Sequence, residues 1–156
     1  MIERTPVGLE RPTIYDFVGG MSTLERLTDS FYEKVRCDDV LAPVFVDFTP
    51  AHAHHVAVWL AEVFGGPAAY SDRHGGHRGV LTAHLGRGIT EEQRVRWVEL
   101  ILESARDVFP ADDLLHRQFA DYIEWGTGIA REVSQPGVDV GEPGPPPRWG
   151  WAGLIS

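Results

Sequence analysis

The sequence predicts an all-α fold, and three observations carry that prediction. Apolar residues recur at three- and four-residue spacing in successive stretches. No stretch alternates with period two for long, and Ser/Thr-x-x-Glu/Gln signatures stand where helices should begin. With 43% hydrophobic and 24% charged residues, the 156-residue chain has the make-up of one folded domain.

Residues 1–13, with Pro6, Gly8 and Pro12, read as a flexible N-terminal arm. IYDFV at 14–18 is a short apolar segment stopped by Gly19-Gly20. Ser22-Thr23-Leu24-Glu25 reads as a capping box opening a helix with Leu24, Leu27, Phe31 and Val35 on one face and Tyr32 at its edge. After Cys37, Pro43 interrupts an apolar run and predicts a short helix or turn. Thr49-Pro50 supplies an N-cap and a first-turn proline for a helix striped by His52, Val56, Trp59, Leu60, Val63 and Phe64. Gly65-Gly66-Pro67 ends it. Residues 68–79 read as a loop, followed by a weak helix over 80–85 that carries His84. Thr90 to Gln93 forms a second capping box before Val95, Trp97, Leu100, Ile101, Ala105 and Val108. Pro110 and Asp112-Asp113 break that helix and open the last one, with Leu115, Phe119, Tyr122 and Ile123. Residues 136–156 hold five of the 11 prolines and read as a disordered Pro/Gly-rich tail, which leaves 14–135 as the folded domain.

Composition excludes several classes of function. A net charge of −9 and a pI near 5.1 repel phosphate backbones, so no nucleic-acid partner is expected. No apolar run approaches the roughly 18 residues of a membrane span, so no membrane partner is expected either. The first dozen residues have no apolar core of the kind a secretory signal carries. One thiol, Cys37, fits a reducing cytoplasm and rules out an internal disulfide or a four-thiolate metal site in one chain.

Seven histidines are the residues left to explain. His54, His55 and His116 read as solvated helix residues. His52 lies on an apolar stripe, where an imidazole needs a partner or a task. His74 and His77 flank Gly75-Gly76 without the spacing of a zinc motif, although a cluster of loop and helix imidazoles would bind a transition metal. His84 has two readings that spacing does not separate. It is either a half-buried imidazole bonded to a backbone carbonyl or the single axial ligand of a haem. No G-x-S-x-G, dinucleotide or Walker motif competes with these.

Taken together, IYDFVGG, SFYEKV, VLAPVF, WLAEVFGGPAAYSDRHGGHRGVLTAHL and QRVRWVEL form a recognisable pattern. The chain resembles the truncated haemoglobins of group II over about residues 14–134. The glycine pairs 19–20 and 65–66 match those with which that family shortens a globin into a two-over-two helical sandwich. The resemblance implies haem b as cofactor and His84 as the iron's proximal ligand. It implies Tyr32 and Trp97 as distal donors to the bound ligand, with His52 at a further distal position. Phe45 would wedge against the haem face, and Val56, Phe64, Tyr70, His77, Val80, Ile89 and Ile101 would line the haem or hold its propionates. Group II members usually carry a small residue where His52 stands, and several carry Tyr where Phe45 stands. A one-residue insertion falls in the loop between His74 and Gly79.

The expected function follows from that resemblance. Bound O₂ gains negative charge, and buried donors aimed at it act more strongly than in water. The leading expectation is a haem protein that binds O₂, NO, CO or peroxide and works in nitric oxide dioxygenase or peroxidase-like chemistry with a reductase, with a homodimer as a possible assembly. The rivals are a non-enzymatic gas sensor or oxygen-binding protein working through a partner, a haem-free helical module, and a histidine-bound metal protein.

Overall fold

A computed structural model of the protein describes residues 11–47 and 49–155. Most of the predicted N-terminal arm lies outside the described residues. The chain forms α1 (Ile14–Val18), α2 (Gly20–Arg36), a 3₁₀ turn (Ala42–Phe45), α3 (Pro50–Val63), α4 (Ala69–Arg73), α5 (Gly76–Thr82), α6 (Glu91–Val108) and α7 (Asp113–Val133). A hairpin of β1 (Arg148–Gly150) and β2 (Gly153–Ile155) follows.

Both glycine pairs serve one joint. Gly19 closes α1 and opens α2 at φ +111°, and Gly20 follows at +74°, angles that residues with a Cβ rarely adopt. The helix therefore starts two residues before Ser22, and the capping box expected there does not form. At the other pair, the Tyr15 N–H donates to the Phe64 carbonyl at 3.0 Å, docking α1 on the end of α3. A Cβ on Gly66 would stand 2.6 Å from the Tyr15 ring and 2.8 Å from the Ala61 carbonyl oxygen. The close approach of α1 depends on that bare backbone.

α2 buries Leu24, Leu27, Phe31, Tyr32 and Val35, packing on α3 and on α6, while α6 packs on α7. The result is the two-over-two sandwich. Local signals hold the ends. Thr90 accepts the Gln93 N–H at 3.1 Å while the Gln93 side chain accepts the Thr90 N–H at 2.9 Å, completing the predicted capping box of α6. Asp112 accepts the Leu115 N–H at 2.9 Å and starts α7.

Two expectations are corrected. Residues 69–82 are two short helices rather than a loop, and the weak helix ends at Thr82, so His84 sits in the turn beyond it. The glycines that suggested a loop are what the helices need: Gly75 caps α5 at φ +86°, and a Cβ on Gly79 would lie 2.3 Å from the His74 carbonyl oxygen. The second correction concerns the predicted disordered tail. Residues 148–155 form an antiparallel hairpin, with Trp149 opposite Leu154, and both of its tryptophans are buried. Trp149 donates its indole N–H to Gln118 at 2.9 Å, and Trp151 donates to the Pro12 carbonyl at 2.7 Å. Arg11 lies 4.4 Å from the Trp151 ring and pairs with Asp112 at 3.1 Å. Two indoles buried with both N–H groups satisfied outweigh the composition of the segment that carries them. The folded unit therefore extends past residue 135.

Candidate functional site

α2, α3 and α6 bring one buried hydroxyl under two nitrogen groups. Tyr32, on α2, is almost fully buried beneath the first turns of α3. Its hydroxyl shares a 3.0 Å hydrogen bond with His52 Nε2, the direction following the imidazole tautomer. The Trp97 indole, on α6, also hydrogen-bonds that hydroxyl as a donor. Burial raises the Tyr32 pKa far above the ordinary phenol value, against the opposing pull of the Trp97 bond. The group is a neutral phenol at any physiological pH.

Aromatic contacts fix these groups in place. Trp97 meets Phe31 edge-on at 4.7 Å, and Phe45, delivered by the 3₁₀ turn, lies 5.7 Å from Tyr32 and 6.0 Å from His52. Tyr32, Phe45, His52 and Trp97 are thus one cluster, as the resemblance implies. The His52 pKa is lowered, chiefly through burial of its ring, with electrostatic coupling to Arg87, His55 and His84 adding to the effect. The residue as a whole is exposed, so the inward-facing nitrogen feels the protein while much of the ring meets solvent.

His84 sits in the turn after α5, where its Nδ1–H donates to the Val80 carbonyl at 2.8 Å. That bond fixes the tautomer and leaves Nε2 as the nitrogen with a free lone pair. Burial lowers its pKa, the Val80 bond opposes this, and Arg87 lowers it further. The imidazole is therefore neutral, the form that binds a metal. The two sequence readings of His84 turn out to be compatible, because the carbonyl bond is itself the orienting contact that a ligating histidine requires.

The remaining predicted residues divide. Val56 and Val80 are half-buried against the core. Tyr70 packs on Trp59 at 5.2 Å, and His77 stacks on Trp59 at 6.2 Å. Ile89 is tied to the end of α7, its N–H on Ser134 Oγ at 2.9 Å and its carbonyl accepting from Gln135 at 3.0 Å. Phe64 and Ile101 lie in the helical core, with Phe64 against Phe119 and Tyr122. Among the residues expected to be solvated, His54 bonds Glu25 at 3.0 Å and His55 rests on His74 at 4.2 Å. No group of three or more His, Cys, Asp or Glu among the described residues is arranged to hold a bare metal ion.

Two residues of the site escaped the sequence reading. Trp59 is seven positions past His52 and three past Val56, so it continues their face of α3. Arg87 follows His84 in the same turn, its N–H on the His84 carbonyl at 3.3 Å, and its charge lowers the pKa of both His84 and His52. The helical spacing signalled Trp59; nothing in the sequence signalled Arg87.

The arrangement fits a haem. His84 offers an imidazole with its Nδ1 already bonded, and Tyr32, His52 and Trp97 gather hydrogen-bonding groups in one cluster. His77 Nδ1 is buried with no hydrogen-bond partner among the described residues, and it sits beside Trp59, where a propionate would supply an acceptor. Fold and site together define a haem-binding globin of shortened form. The bacterial-like globin profile matches residues 13–123. The group 1 truncated haemoglobin GlbN of Nostoc commune is 31% identical over 97 residues, covering 51% of this chain and 82% of that protein. A thermostable haemoglobin of Thermobifida fusca superposes at TM-score 0.67 with 30% identity, covering 81% of this chain and all of that one. The group II truncated haemoglobin of Bacillus anthracis superposes at 0.65 with 26% identity, covering 85% and 98%. The chain belongs to the bacterial-like globin family, and the relatives it matches are truncated haemoglobins. Its cofactor is accordingly haem, and its coarse function is to bind small gaseous ligands. No helix among the described residues is long and apolar enough to cross a membrane.

Proposed function

We propose that the protein uses the bound diatomic ligand in redox chemistry, combining O₂ with nitric oxide to give nitrate while a reductase returns one electron per turnover. The observation that carries this reading is the shared Tyr32 hydroxyl, organised by Trp97 and His52 before any ligand arrives. When bound, the haem supplies the iron that holds O₂ and accepts the returning electron. In this reading His84 Nε2 holds that iron, and Val80 keeps the ring in register. Tyr32 and Trp97 present O–H and N–H groups to the negative charge that develops on the ligand, and Phe45 keeps water from that face. His77 and Tyr70, stacked around Trp59, receive the propionate edge. Mixing the O₂-loaded protein with nitric oxide in a stopped-flow spectrometer tests this. Rapid conversion to the ferric spectrum with stoichiometric nitrate is expected. A persistent O₂-loaded spectrum overturns the dioxygenase reading and leaves a protein that binds gas for a partner.

Peroxide reduction is a second reading, favoured by His52. An imidazole held neutral beside a phenol is able to take a proton from one oxygen of hydrogen peroxide at Nε2 and return it to the other. His52→Ala is expected to slow the reaction of the ferric protein with peroxide while leaving haem binding intact. An unchanged rate removes His52 from proton transfer.

A further inference from the structure

A file of oxidisable side chains leads away from the pocket wall. Trp59 shares its face of α3 with His52 and Val56, and its indole N–H donates to the Tyr122 hydroxyl on α7 at 2.8 Å. The Tyr122 ring lies 5.5 Å from the Trp149 ring on the C-terminal hairpin, edge-on. Trp149 lies 5.6 Å from Trp125, and Tyr122 lies 6.2 Å from Trp125 directly. Three members are buried; Trp125 alone is open to solvent, at 38% exposure. Indole and phenol are the side chains most readily oxidised by one electron. Here each touches the next.

We propose that Trp59, Tyr122, Trp149 and Trp125 form a one-electron relay that lets the buried haem oxidise, at Trp125 on the surface, phenolic molecules too large to enter the pocket. The inference rests on the peroxide reading of the site. Hydrogen peroxide is the oxidant: its O–O bond breaks, and two electrons with two protons make two waters. Each electron is drawn from Trp125 along the file, and the Trp125 indole releases its N–H proton to water, leaving a neutral indolyl radical. A phenol then returns an electron and a proton to that ring and departs as a phenoxyl radical. The sum is one peroxide and two phenols giving two waters and two phenoxyl radicals.

The chemistry of each position favours rest at the surface. Burial makes loss of the Tyr122 proton costly, so Tyr122 conducts rather than stores the vacancy. Trp149 has its N–H committed to Gln118. Trp125 is where solvent takes the proton and where a flat aromatic reductant docks against an exposed ring. Trp149 also shows what the hairpin contributes, since the closer ring-to-ring contacts from Tyr122 to Trp125 run through it.

The test uses the full-length ferric protein, with its Soret band recorded first, treated with hydrogen peroxide and a nitroso spin trap, then digested for peptide mass spectrometry. Expected are trap adducts concentrated on Trp125, and several-fold fewer adducts there in Trp149→Phe. Trp125→Phe should keep the parent's visible spectrum while losing most oxidation of a phenol coupled to a bulky polymer. A Soret band with adducts only at other residues, or polymer-bound phenol oxidised equally well by Trp125→Phe, overturns the relay alone. A protein with no Soret band overturns the haem reading itself, and the relay with it.

Discussion

Replacing Trp97 by Phe isolates one hydrogen bond at the centre of the site. The variant removes the indole N–H from the Tyr32 hydroxyl but keeps an aromatic ring in place of the one that meets Phe31 at 4.7 Å. Tyr32 is 3% exposed, so water does not substitute for the lost donor. A neutral hydrogen bond is worth about 0.5–1.5 kcal/mol, which converts to a rise of roughly two- to tenfold in O₂ release. Tyr32→Phe removes the hydroxyl itself, together with its bonds to Trp97 and His52, and should release O₂ faster still. The two residues share one bond, so their effects should not simply multiply. The double variant should fall short of the product by about 0.5 kcal/mol or more. Displacement of O₂ by carbon monoxide, followed at the Soret band, measures all four rates. An unchanged rate in Trp97→Phe, or strictly multiplicative rates, would refute the shared-hydroxyl argument.

Three further outcomes are expected. His84→Gly should lose most of its haem on purification, and added imidazole should restore a Soret band; a normal spectrum without imidazole places the ligand elsewhere. Gly66→Ala should cost about 1–3 kcal/mol, because the new methyl meets the Ala61 carbonyl at 2.8 Å and the Tyr15 ring at 2.6 Å. Gly128→Ala, in α7 with nothing within 4 Å, should instead gain about 0.5–1 kcal/mol. Melting temperatures should therefore shift in opposite directions, and shifts of the same sign would contradict the packing described for the joint. Finally, His52 and His55 both lie below the ordinary imidazole value of 6.5, chiefly through burial. As the pH falls through 6.5 the unfolded chain binds protons first, so stability is full above that pH and declines with acid. A melting temperature that stays flat from about pH 8 to about pH 5 would show that neither histidine contributes.

The legible parts of the structure were those governed by local rules. Thr90 with Gln93, and Asp112 before Leu114-Leu115, announce α6 and α7 because a cap is written within four residues. Ser22 to Glu25 has the same pattern and caps nothing, since the helix already begins at Gly20, two residues earlier, with Gly19 as its N-cap. Resemblance named Tyr32, Phe45, His52 and Trp97, and the structure brings these four together. Periodicity alone gives Phe64 and Trp59 the same standing on α3, yet Phe64 turns to Phe119 and Trp59 to Tyr70 and His77. A stripe says which residues leave water, not which neighbour each will meet.

The hairpin shows the same limit from the other side. Its prolines and glycines argue for disorder only if nothing waits to receive its tryptophans. What receives them is assembled from distant parts of the chain: Gln118, Tyr122 and Trp125 on α7 for Trp149, and Arg11, Pro12 and Phe17 for Trp151. Each partner is ordinary on its own element. Arg11 in turn pairs with Asp112, the N-cap of α7, so one guanidinium joins the N-terminal segment, the hairpin and the start of the last helix. The long-range contacts that close this end of the molecule also place an indole between Tyr122 and the surface. Order in the C-terminal segment and an oxidisable route out of the pocket thus have the same physical cause, the burial of Trp149.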